Sequence, residues 1–275
     1  MAKIVGGFVV PHNPVMYFNP NGPRPEVAKV IHDAYAETAR RIAELGATTA
    51  IIIGCDHYIL YGTQCLPRYV ISTGEIDGPV DQLPGLKRAP ILSNIDLGRH
   101  IAEEGCRAGF DWAVGRAMAV DHSIAVPHHL MLQPNPGIKT VAVMLACGVD
   151  PFLPMARARA LGEHIAAAVA SFPGDERVVV IGSGGISHWV GDENMGKVNP
   201  DFDRLVLDAV TTGDIDRLTG LSDAYILEHG GNGAMEIRTY VCAMAATGAA
   251  GGHVVAYEPI REWVTGMGLA ELKAA

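Results

Sequence analysis

Hydrophobic residues along this chain fall into two alternating rhythms. Short runs rich in Val and Ile recur at Ile4–Val10, Thr48–Ile53, Lys139–Leu145 and Arg177–Ile181, with few polar positions inside them. Near-continuous apolar runs of that length predict strands buried on both faces. Between them lie longer, Ala-rich stretches whose apolar residues stand three and four apart. That spacing predicts helices over Pro25–Leu45, Leu97–Ala108, Met155–Ser171, Phe202–Ala209 and Ala234–Ala246. Gly46 follows the first of these directly and suits a helix C-cap. Strand and helix in alternation predict an α/β sandwich with helices on both sheet faces. The Pro- and Gly-rich segment Gly62–Leu92 is expected to leave the sheet or to form a β-hairpin rim. No repeat, low-complexity tract or polar linker divides residues 1–275, so a single domain is expected.

Composition narrows the classes. Lys and Arg number 21 against 30 Asp and Glu, a net charge of −9 that repels phosphate backbones, and no basic cluster offsets it. Nucleic acid is therefore not an expected partner. Only 19% of residues are charged, which favours a homo-oligomer with surface buried between subunits. The cysteines Cys55, Cys65, Cys106, Cys147 and Cys242 are scattered and form no CxxC pair, so reduced thiols are expected rather than a zinc ribbon or a disulfide framework. No run approaches the roughly 18 apolar residues of a membrane span. The opening MAKIVGGFVVPHNP lacks the long apolar core of a signal peptide, so a soluble, cytoplasmic protein is expected.

Placement, more than number, makes the histidines informative. His12 follows the first predicted strand, His57 follows the second, and His188 follows Arg177–Ile181 through a Gly-rich turn. His122, in AVDHSIAVP, lies in a segment that could join them. Ligands of open α/β sheets bind beyond the carboxyl ends of the strands. Any one of these histidines reads most simply as a hydrogen-bonded loop residue; several in equivalent positions point to one polar cluster. His32, His100, His164, His229 and His253 lack that context, and His128 and His129 read as structural or rim residues. Glu236 sits among Met235, Ile237 and Tyr240, where a carboxylate turned inward is costly unless it meets a cation. Two His and one carboxylate are the facial triad of non-haem Fe(II) enzymes, and zinc accepts the same donors.

Five motifs, in order over nearly the whole chain, carry a family resemblance: PHNP, CDHY, AVDHSIAVP, IGSGGISHW and GNGAMEIRTY. Together they resemble the class III extradiol ring-cleavage dioxygenases of the LigB type, and the tail YEPIREWVTGMG agrees. The resemblance implies an α/β/α sandwich around a mixed, largely parallel central sheet. It implies Fe(II) held by His12, His57 and Glu236, with His122 and His188 as acid/base groups. Asn13, Trp189 and Asn232 are expected to face the substrate. The implied reaction inserts both atoms of O₂ into a catechol-type ring; a hydroxypyridone or an aminophenol would chelate iron in the same way. The chain encodes no separate small lid subunit, so the excursion, the tail or a second protomer is expected to close the pocket.

Arg24, Arg68 and Arg238 are candidates to meet a substrate carboxylate, with structural ion pairs as the competing reading. Two other functions stay open at this point. One is a metal-dependent hydrolase or lyase on the same scaffold. The other is a metal-free binding protein of the same fold.

Overall fold

A computed structural model describes residues 1–275. The strands, in chain order, are β1 (Lys3–Val10), β2 (Thr49–Cys55), β3 (Tyr69–Gly78), β4 (Ala89–Ile91), β5 (Ala113–Ala119), β6 (Lys139–Leu145), β7 (Arg177–Ser183), β8 (Gly252–Ile260) and β9 (Thr265–Leu272). The helices are α1 (Val15–Phe18), α2 (Pro25–Glu44), α3 (Ile95–Arg107), α4 (His122–Pro127), α5 (Met155–Ser171), α6 (Pro200–Thr212), α7 (Ile215–Thr219), α8 (Asp223–Gly230) and α9 (Ile237–Ala246).

All nine strands join one sheet, ordered β4-β3-β6-β2-β7-β1-β9-β8, with β5 paired to β3. The centre, β6-β2-β7-β1, is parallel. Antiparallel strands flank it on both sides, β3 beside β6 and β9 beside β1. The sheet is thus mixed and largely parallel at its middle, as the family resemblance implies.

The near-continuous apolar runs have the expected cause. In β2, Ile51, Ile53 and Cys55 pack on α3, α5 and α9, whereas Ala50 and Ile52 pack on the opposite face with α2 and α4. Every residue of β2 is buried, so neither face tolerates a polar residue without a partner. Truncating Ile52, which is fully buried, to Ala is the kind of change that costs about 2–5 kcal/mol. The helices are capped where the sequence offers an oxygen acceptor. Asn94 caps α3 and Asn199 caps α6, the latter with Pro200 at the first helical position.

Segment 62–92 supplies the rim. Its β3 pairs antiparallel with both β4 and β6, so the hairpin is stitched to the edge of the parallel core. The helix read over Ala234–Ala246 is divided: Gly233–Glu236 is a tight 3₁₀ turn and α9 starts at Ile237. That division aims Glu236 back over the strand ends.

One buried carboxylate anchors this layer. Asp203, on α6, is wholly buried and accepts hydrogen bonds from Ser187 N and Tyr257 Oη, each at 2.7 Å. Burial pushes its pKa up to about 6, and the two hydrogen bonds draw it back only in part. The folded state therefore holds this proton more tightly than the unfolded chain, whose Asp titrates near 3.9. Stability is lost as pH rises between those values, by about 3 kcal/mol in all. Asp203→Asn is expected to remove this slope, so the variant should gain on wild type by that amount between pH 4 and pH 7. Urea unfolding at a series of pH values measures it; a difference independent of pH would contradict the shift.

Candidate metal centre

β1 and β2 both pair with β7, so the carboxyl ends of these three neighbours open onto one place. His12 follows β1 and His57 follows β2, as the sequence predicts for a site at that edge. Glu236 arrives from above, at the junction of the 3₁₀ turn and α9. The three converge. His12 Nε2 stands 3.2 Å from His57 Nε2 and 3.3 Å from a Glu236 carboxylate oxygen, and His57 Nε2 stands 3.1 Å from the other oxygen.

Each imidazole is oriented through its other nitrogen. His57 Nδ1 lies 2.8 Å from Asp121 Oδ2, so Nδ1–H donates to that carboxylate and Nε2 faces the centre. His12 Nδ1 lies 3.0 Å from Ser183 Oγ, whose own hydroxyl donates to the Ser123 carbonyl at 2.6 Å. Ser183 must then accept from His12 Nδ1–H, which again leaves Nε2 facing inward. Glu236 is held by Gly185 N, which donates to its Oε2 at 2.6 Å.

Asp121 has a second task, because its other oxygen accepts from Ser123 N and caps α4. One buried carboxylate thus fixes both the inward-facing imidazole and the start of the helix that carries His122. Asp121→Asn is expected to weaken metal binding about 10- to 100-fold, as removal of such outer partners does. Competition against a chelator measures it, with unchanged affinity as the contrary result.

The electrostatics favour a cation. Burial of His57 works against its protonation, but Asp121 and Glu236 outweigh that and hold its pKa well above the ordinary histidine range. Burial likewise works to raise Glu236, yet His12 and His57 hold its pKa well below the carboxylate range. Any proton drawn by this field is one a divalent ion displaces on binding. The spacing fits as well. Two donors each about 2.1 Å from one ion stand about 3.0 Å apart at a right angle and about 3.4 Å apart at the tetrahedral angle. The observed 3.1–3.3 Å lies between.

The family model described as the catalytic LigB subunit of aromatic ring-opening dioxygenase matches residues 6–268. The chain belongs to this family.

Its relatives include the 2,3-dihydroxyphenylpropionate/2,3-dihydroxicinnamic acid 1,2-dioxygenase of Rhodococcus sp, 26% identical over 94% of this chain and 95% of that one. The enzyme of the same name from Paraburkholderia xenovorans is 26% identical over 90% and 91%. In fold, the chain is similar to the crystal structure of uncharacterized protein JW3007 from Escherichia coli K12. That likeness has a TM-score of 0.52 at 13% identity, covering 98% of this chain and 99% of the other.

Two further histidines of the family motifs border the centre. The His122 ring stacks on His57 with centroids 4.0 Å apart, and its Nδ1 is held by Asp81 Oδ2 at 2.8 Å. His188 Nε2 lies 3.9 Å from Glu236, and its Nδ1–H donates to the Ile186 carbonyl. Burial lowers the pKa of both rings, which keeps them neutral near pH 7. The nearby His57 lowers His122 further, against the pull of Asp81, while Glu236 partly offsets the burial of His188. The His188 ring is flanked by Gly185 and Gly233, where any Cβ would collide with the imidazole.

Asn13, Asn232 and Trp189 each engage protein partners. Asn13 is buried and turned toward the C-terminal strands, with Nδ2 donating to the Trp263 carbonyl and Thr265 Oγ1, and Oδ1 accepting from Val15 N. Asn232 binds Val190 N and O and so clips the His188 loop to the turn before Glu236. Trp189 is buried on that loop beneath Lys197 Nζ.

Arg238 is fully buried and braces α9 to the Leu153 carbonyl and Asp223, so its structural reading holds. Arg68 donates to the carbonyls of Pro151 and Phe152, and Arg24 pairs with Glu26 on the surface. No helix is long and apolar enough to cross a membrane.

Three residues of the centre escape the sequence reading. Asp81 lies in the Pro/Gly-rich rim, where nothing marks it as a partner of His122. Asp121 stands inside AVDHSIAVP, but no local spacing marks it as the partner of His57. Cys55 ends β2 with Sγ 3.8 Å from His57 Nε2, and in the sequence it reads only as one of five scattered reduced thiols. A hydrogen bond with Cys147, and then burial, push its thiol well above the usual cysteine range.

Proposed function

We propose that this chain is a non-haem Fe(II)-dependent extradiol dioxygenase, inserting both atoms of O₂ into a vicinal dihydroxy-aromatic ring. The observation that carries the reading is the inward convergence of His12 Nε2, His57 Nε2 and the Glu236 carboxylate at 3.1–3.3 Å, each donor fixed from behind. In this reading those three hold the iron and residues 1–275 act as one catalytic domain. Two neutral imidazoles and one carboxylate leave a ferrous site with one net positive charge and open positions. Bound iron supplies a Lewis acid for the two hydroxyls and a path for electrons from the ring to O₂.

The chain's own groups do the rest. His122 and His188, kept neutral by burial, are bases for the hydroxyl protons of the diol and can return a proton to oxygen as the ring opens. Asp81 and the Ile186 carbonyl hold the two Nδ1–H groups, so both Nε2 lone pairs are directed away from those anchors. The named substrates of the relatives are dihydroxyphenyl acids. A catechol-type acid is accordingly the first class to assay.

The test is O₂ uptake by the Fe(II)-loaded enzyme with a panel of catechols, gallates and dihydroxypyridines. Stoichiometric O₂ consumption and a ring-opened product are expected with at least one class, with inactivation by peroxide and recovery on ascorbate plus Fe(II). Turnover that needs no O₂ and survives replacement of iron by zinc would establish the hydrolase or lyase instead.

A further inference from the structure

The structure assigns a fourth donor to this centre: we infer that the thiol of Cys55 joins His12, His57 and Glu236 around thiophilic divalent ions, Zn²⁺ above all, and closes the site. This rests on the metal-centre part of the reading above and not on ring cleavage. Cys55 is the last residue of β2, and its side chain points to the same face as Ile51 and Ile53, toward α5 and α9. Glu236 enters from that face at the start of α9.

The ligating atoms of His12, Cys55, His57 and Glu236 all lie within 4.8 Å of one another. Sulfur and nitrogen on one zinc ion, at about 2.3 and 2.1 Å, stand about 3.6 Å apart at the tetrahedral angle. Cys55 Sγ stands 3.8 Å from His57 Nε2, a difference that a small side-chain rotation absorbs. The thiol is also 1% exposed, so an ion held by the other three donors meets this sulfur before any surface thiol.

Binding through sulfur breaks the S–H bond, forms a metal–sulfur bond and releases one proton to solvent; no electron changes hands. Ions that prefer oxygen and nitrogen, such as Mn²⁺, gain little from the thiolate and keep the three-donor arrangement. Zinc takes all four protein donors, the closed set typical of structural rather than catalytic zinc. The consequence is selectivity within one cluster. Hard ions retain open positions for a chelating ligand, and zinc fills one of them with protein sulfur.

The experiment uses the full chain, freed of metal with a chelator and titrated with Co²⁺, Zn²⁺ and Mn²⁺. Co²⁺ is expected to give a near-ultraviolet sulfur-to-cobalt charge-transfer band saturating at one ion per chain. The band should vanish in Cys55→Ser and Cys55→Ala and persist in Cys147→Ser. Against a chromophoric chelator, Cys55→Ser should weaken Zn²⁺ on the order of 10²-fold while changing Mn²⁺ less than about threefold.

Wild-type protein that binds Co²⁺ and Mn²⁺ without the band overturns this inference and leaves the three-donor centre standing. A band that survives Cys55→Ala, or equal losses of Zn²⁺ and Mn²⁺ in Cys55→Ser, also overturns it. Wild-type protein that takes up none of the three ions overturns the metal centre as well. Absence of the band in wild type overturns the inference even where a substituted chain fails to fold.

Discussion

Glu236→Ala is expected to abolish metal binding and ring cleavage together. This carboxylate is the one anion among the three proposed iron ligands, and it is buried at 4% exposure. A unit charge about 4 Å from another is worth about 4 kcal/mol at an effective dielectric near 20, or about three decades of affinity. A divalent ion in direct contact with the carboxylate loses more than that. The measurement is metal content after desalting, together with competition against a chelator.

Glu236→Gln sharpens the result. The amide oxygen can still accept from Gly185 N, so the loop geometry is kept while the charge is removed. Loss of metal in both variants assigns the effect to charge and ligation rather than to local collapse. Wild-type metal content in the Gln variant would mean that the ion is held elsewhere.

The parallel centre of the sheet is legible in the sequence because burial on both faces leaves a distinctive run. Lys139–Leu145 and Met155–Ser171 coincide with β6 and α5, and the other central strands differ only at their ends. The outer strands are less legible for a physical reason. β5 buries only Met118 and is interrupted by Gly115 and Arg116, so its apolar residues form no run. β9 carries Gly266 and Gly268 where Asp203 and Ile186 approach closely, which removes the β-branched residues that mark a strand.

The centre divides along a similar line. His12, His57 and His188 are legible because each lies just beyond the end of a buried strand, His188 after a Gly-rich turn. Their anchors are not, since Ser183 lies 171 residues from His12 and Asp81 lies 41 residues from His122. Such pairings are set by the strand order β2-β7-β1 and by the rim hairpin, which no local spacing reveals. Asn13 shows the reverse. It adjoins His12 in sequence, but its amide is drawn to the C-terminal strands because Trp263 O and Thr265 Oγ1 would otherwise lack this donor.

His188→Ala is expected to leave metal bound while kcat falls about 10²- to 10⁴-fold, the usual contribution of an acid/base group. In barrier terms that is about 3–5 kcal/mol. Its Nε2 stands 3.9 Å from Glu236, outside the 3.1–3.3 Å triangle of the proposed ligands, and its Nδ1–H is held by the Ile186 carbonyl. The flanking Gly185 and Gly233 leave room for the ring alone, so truncation opens a cavity without displacing Glu236.

His57→Ala is the contrast. It removes a proposed ligand and takes the imidazole donor from the buried Asp121 carboxylate, so metal should be lost along with activity. Metal content and steady-state kinetics, measured on both variants after reconstitution with Fe(II), separate the roles. Metal lost from His188→Ala and retained in His57→Ala would exchange the parts given to these two histidines, because only a ligand carries the ion away with it.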